Sequence, residues 1–99
     1  MTIKQGSRFK SAYKKISKSG NMPSDFKENL TVVLKYLKTD KPLPIKYQDH
    51  PLKGNFKGYR DCHICPDYVL IYSSGGSEII LANLVSHSDF INKRNPMQN

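Results

Sequence analysis

An α+β domain of two layers is what this sequence predicts, with a hairpin of two N-terminal helices laid on a small twisted antiparallel sheet. Two observations carry that expectation. Apolar residues recur at helical spacing up to Thr39, and beyond Gly58 short apolar runs alternate with turns of hairpin length. With 99 residues the chain holds one modest core. Residues 1–92 are therefore read as a single domain and the polar stretch 93–99 as a flexible tail.

Ile3 belongs to a short opening strand, and Ser7 is the expected N-cap of a helix in which Phe9, Tyr13 and Ile16 share one face. Gly20 ends it. Pro23-Ser24-Asp25 supplies the next start signal, after which Phe26, Leu30, Val33, Leu34 and Leu37 form one apolar stripe up to the break at Thr39-Asp40-Lys41-Pro42. From Lys41 to Gly58 no period persists, so this segment is a long loop. Three strands are expected next, at Tyr59–Ile64, Tyr68–Tyr72 and Glu78–Val85, joined as an antiparallel meander.

Charge is unevenly distributed. Fourteen of the sixteen Lys and Arg residues lie in 1–60 with only four acids, a local net charge of +10, whereas 61–92 contains no Lys or Arg. A one-sided cationic excess suits phosphate contacts, or an acidic protein partner. No apolar run approaches the roughly 20 residues that cross a bilayer. Met1–Gln5 lacks the apolar stretch of a signal peptide, so a cytoplasmic location without membrane contact is expected. Cys62 and Cys65 form a C-x-x-C, but positions three apart on a strand face opposite sides, so a shared metal or a disulfide is not expected.

The three histidines of the chain fall at His50, His63 and His87, the first two in one block from Asp49 to Tyr72 and the third in Ser86-His87-Ser88. Imidazole exchanges protons near neutral pH. On a strand over 59–65, Asp61 and His63 share the face opposite Cys62 and Ile64, and a meander brings His50 and His87 to the same region. RNA makes such a set interpretable, because its 2′-hydroxyl is an internal nucleophile: one imidazole removes a proton, a cation stabilises the phosphorane, and another imidazole protonates the leaving 5′-oxygen. Asp61 or Asp67 would orient an imidazole, and Lys53, Lys57 and Arg60 would hold phosphate. Each residue also has a plain structural reading: His50 as an exposed loop residue, Asp49 and Asp67 in Asx turns beside proline, and the lysines as solvated turn residues. The residues alone support a small basic α+β domain with an RNA-binding surface.

The pattern D-H-P-L-K-G-x-x-K-G-Y-R-D-C-H-I-x-P-D-Y-x-L-I-Y at 49–72, with S-H-S at 86–88, closely resembles the YafQ branch of the RelE/ParE toxin superfamily. The resemblance covers roughly residues 1–90. It implies the RelE-like fold and the toxin of a bacterial type II toxin–antitoxin pair, a ribosome-dependent mRNA endonuclease that works without a metal or other cofactor. By motif, His50, His63, His87, Asp61 and Asp67 fall at the positions such toxins use for cleavage, with His87 as general acid and His50 or His63 as base or transition-state stabiliser. The implied partners are messenger RNA on the ribosome and an acidic antitoxin that silences the basic surface in a hetero-oligomer, commonly a heterotetramer. Two positions depart from the pattern. Tyr68 stands where many relatives carry Trp, still an aromatic platform for a base. Asp89-Phe90-Ile91 follows S-H-S, so Phe90 is either the displaced equivalent of an aromatic that contacts substrate or a residue of the core. Two other classes stay open: a catalytically inactive binding module for antitoxin or ribosome, and a metalloenzyme with His50, His63 and His87 as zinc ligands.

Overall fold

The computed structural model describes residues 1–92, so the tail 93–99 lies outside the described residues. The elements are β1 (Thr2–Gln5), α1 (Ser7–Lys18), α2 (Phe26–Lys38), a 3₁₀ turn at Ile45–Tyr47, β2 (His50–Pro51), a second 3₁₀ turn at Gly54–Phe56, β3 (Tyr59–Cys65), β4 (Tyr68–Gly75), β5 (Glu78–Ser86) and α3 (His87–Asn92). They form one sheet in the order β1-β5-β4-β3-β2.

The expected helices and meander are present, and the differences are local. β1 pairs parallel with β5, Thr2 opposite Glu78 and Gln5 opposite Leu81, which makes the sheet mixed at that edge. β4 runs on through Ser73, Ser74 and Gly75, paired with Ile80, Ile79 and Glu78, so the turn is two residues rather than five. Those serines read as loop because neither is apolar; their pairing with an apolar strand overrides that preference. Gly6, not Ser7, caps α1. Its N–H donates to the Leu81 carbonyl at 2.8 Å, and a Cβ there would lie 3.0 Å from that same oxygen, so only glycine brings the helix start this close to β5.

Both helices cover one face of the sheet. Phe9, Ala12, Phe26, Leu30, Val33 and Leu37 meet Cys62, Ile64, Leu70, Tyr72, Ile79, Leu81 and Leu84 in the main core, where Phe26 is fully buried. Cys65 joins this cluster, correcting the expectation that the two cysteines face apart. The pairing slips between His63 and Cys65, opposite Val69 and Tyr68, and the extra residue rotates Cys65 onto the helix side. Both thiols are free and buried, and desolvation, their largest influence, raises the pKa of each.

The second face is narrower. Val69, Ile71, Ala82 and Val85 pack there beneath Leu52, Tyr59 and Phe90. Asp61 and Asn83, the two fully buried polar side chains among the described residues, lie in register on either side of Ile71, between the chain's edge and this small core.

Candidate active site

The long loop is held by its own residues. Tyr47 is a buried plug against the main core, and Gln48 adopts a left-handed backbone, φ 50°, that turns the chain sharply toward the sheet. Asp49 then clamps it. Arg60 donates to both Asp49 oxygens, at 3.2 and 3.1 Å, and the Tyr72 hydroxyl donates to Oδ1 at 2.5 Å. The pair with Asp49 raises the Arg60 pKa, while burial, then the bond to Asp49, raises that of Tyr72. A carboxylate receiving three donors fixes its neighbour, and that neighbour is His50.

His50 opens β2 directly opposite Asp61. Its Nδ1 lies 2.9 Å from the Gln48 carbonyl and 2.8 Å from Asp61 Oδ1. Two acceptor oxygens beside one nitrogen place the proton on Nδ1, leaving the Nε2 lone pair of neutral His50 free. The ring N–H serves the Gln48 carbonyl, and Asp61 approaches as a charge rather than as an aligned hydrogen-bond partner, so neither Asp61 oxygen has a donor of its own among the described residues. Burial accordingly raises the Asp61 pKa, opposed first by His50.

Two residues along β3, His63 meets His87, the first residue of α3, with ring centroids 5.4 Å apart and planes at 54°. S-H-S has a local cause. The Ser86 hydroxyl accepts the Asp89 N–H at 3.1 Å, the bond of an N-cap side chain to the third helical residue, and the His87 N–H donates to the Asp67 carbonyl at 2.7 Å. Burial, then His87, then His50 lower the His63 pKa, so both other imidazoles lie within electrostatic reach of His63. His63 and His87 open onto a cavity of about 500 Å³ whose other walls include Lys46, Tyr47, Gln48, Asp25 and Asn29. It sits where β2 stops and the edge of β3 continues alone.

The depressed His63 pKa has a consequence for stability. An imidazole harder to protonate folded than unfolded contributes fully above its unfolded value of about 6.5, and that contribution is lost as pH falls from there through the lower folded value. His63→Gln is therefore expected to flatten the fall in melting temperature between pH 7.5 and 5.5. An unchanged slope by calorimetry contradicts the placement of His63.

The sequence model of the family described as bacterial toxin of type II toxin–antitoxin system, YafQ, matches residues 1–92. This chain belongs to that family. A copper-bound mutant toxin from Helicobacter pylori is 35% identical with TM-score 0.80, covering 90% of this chain and 97% of that one. YafQ from Escherichia coli strain BL21(DE3) is 28% identical with TM-score 0.75, over 91% and 97%; the same toxin in the E. coli DinJ–YafQ complex gives TM-score 0.76 at 28% identity, over the same shares. Among curated proteins, the mRNA interferase toxin YafQ of E. coli K12 is 57% identical over 44 residues, 39% of this chain and 48% of its own length. The match thus spans about half the length of that curated relative.

Within this YafQ fold His63 meets His87 and His50 meets Asp61, and other expected residues do not join them. Asp67 is exposed and acts on His87 through its main-chain carbonyl. Arg60, expected on phosphate, is bound by Asp49. Tyr68 stands edge-on to Phe26 on the helix side, centroids 5.4 Å apart, and packs with the main core rather than lining the histidine cavity. Phe90 packs over the small core. Lys53 and Lys57 flank the second 3₁₀ turn, exposed. Among the described residues no three His, Cys, Asp or Glu side chains converge closely enough to hold a metal ion, so the zinc arrangement of His50, His63 and His87 does not form here. No helix is long and apolar enough to cross a membrane. Sequence reasoning missed Asp49 as an anchor and Lys46 as a cavity wall. The first had a readable signal, since Arg60 and Tyr72 sit in the same block.

Proposed function

We propose that this chain is the toxin of a type II toxin–antitoxin pair and cuts messenger RNA on the ribosome, by attack of the 2′-hydroxyl on the adjacent phosphorus. The observation that carries this reading is the pairing of His63 with His87 at one cavity, with His50 set against Asp61 two residues along β3. Support also comes from the mRNA interferase name of the E. coli relative.

The pair at 5.4 Å suits one proton better than two, because adjacent imidazolium charges repel. His63, desolvated and neutral, takes the 2′-proton. His87, protonated, delivers its proton to the departing 5′-oxygen. His50, backed by the buried Asp61 carboxylate, offers positive charge to the phosphorane oxygens. The products are a 2′,3′-cyclic phosphate and a 5′-hydroxyl, and the internal nucleophile lets these residues act with no metal or cofactor. Asp67 sets His87 through its carbonyl, while Lys53 and Lys57 contribute to the basic surface that meets the ribosome.

The same cationic surface suits an acidic antitoxin in a hetero-oligomer, commonly a heterotetramer, and the solved E. coli DinJ–YafQ toxin–antitoxin complex supports a partner of that kind. Toxin and ribosome meet in the cytoplasm. The test is a reconstituted translation reaction with a defined message. Cuts within codons that appear with ribosomes, and vanish when the acidic partner is added, are expected. A message left intact by wild-type protein that still binds the ribosome or antitoxin would replace the nuclease by a binding module.

A further inference from the structure

A phosphorane carries its charge beside the reacting imidazoles, and His50 stands outside the lining of the cavity onto which His63 and His87 open, so a further cation must reach that cavity to hold the phosphate in it. None of the three cations expected from the sequence does so. Arg60 is spent on Asp49, at 3.1 and 3.2 Å, and Lys53 and Lys57 belong to the second 3₁₀ turn, outside the cavity lining. Lys46 does line it, together with His63 and His87. Its ammonium lies 5.0 Å from the centroid of the Tyr47 ring, and Tyr47, 3% exposed, is a fixed platform rather than a mobile side chain. Among the described residues Lys46 takes part in no ion pair. Its charge is thus available to a ligand, and its reach is limited by the ring beneath it.

The remaining wall decides the orientation. Asp25 and Asn29, at the start of α2, bond to each other at 3.2 Å and present a carboxylate to the same cavity. A phosphate is repelled from that wall and drawn toward Lys46.

We infer that Lys46 is a catalytic residue of this site, the ammonium that holds the scissile phosphate of RNA between the 3₁₀ turn at Ile45–Tyr47 and the His63–His87 pair. This deepens the nuclease reading and rests on it. An anion held there stabilises both imidazolium forms.

The test uses adenosine 3′-monophosphate as probe, followed through the imidazole resonances of His63 and His87 by NMR on the full chain. In the wild type both rings are expected to shift and to titrate at higher pH in its presence. Lys46→Met is expected to weaken this binding about tenfold, with Lys46→Arg restoring most of it. In the translation reaction Lys46→Met should lower kcat at least tenfold with little change in melting temperature, whereas Lys53→Met and Lys57→Met alter chiefly KM. Unmoved His63 and His87 resonances in the wild type, or identical binding by Lys46→Met, overturn the inference. If the nucleotide binds as expected and the wild type never cuts message, the phosphate site stands and the nuclease function falls.

Discussion

His87→Ala is expected to lower the rate of message cleavage by about 10²–10⁴-fold, the usual contribution of a positioned general acid, with ribosome and antitoxin binding retained. The fold should scarcely notice. His87 is only partly buried, α3 is held by the Ser86 cap and by the Asp67 carbonyl, and alanine retains the N–H that makes the second of these bonds. Loss of the neighbouring ring also relieves His63 of one influence that lowers its pKa. The acidic limb of the residual pH–rate profile should therefore move to higher pH, which a simple loss of packing would not produce. Cleavage within about threefold of wild type removes His87 from the chemistry.

Asp61→Asn separates activity from stability. Among the described residues the carboxylate is fully buried with neither oxygen hydrogen-bonded, whereas the side chain of its ion partner, His50, is 58% exposed. Such a group costs more in desolvation than a half-solvated imidazole returns. With its pKa raised, Asp61 favours the folded state when protonated, and that favour is lost as pH climbs through the folded value. The Asn variant should thus melt a few degrees higher than wild type near pH 7, a gain that shrinks toward pH 4. Message cleavage should fall by about 10²-fold, because His50 no longer has a counter-charge when protonated. A variant that is both less stable and fully active refutes the assignment on both counts.

Much of this was readable in advance, and the reasons for the rest are physical. Phe9, Phe26, Leu30, Val33 and Leu37 announce two helices because amphipathic spacing over a dozen residues is a redundant signal. The two residues of β2 carry no period at all, and the parallel pairing of β1 with β5 joins segments more than seventy positions apart. The slip between His63 and Cys65 was equally hidden, since alternation on a strand presumes an unbroken ladder. At the site, the histidines stood out by chemistry. Arg60 was expected on phosphate and Lys46 was not singled out, because which cation is already paired depends on a loop whose path Tyr47, Gln48 and Asp49 define, and no local pattern encodes that path.

Joining β1 to β5 has a consequence for how the toxin comes into being. Thr2–Gln5 must wait for Glu78–Leu81, and His87 follows later still, so synthesis from the N-terminus leaves every shorter nascent chain with an open sheet and an unassembled set of imidazoles. The three imidazoles therefore cannot be assembled until nearly the whole domain has emerged, a delay written into topology.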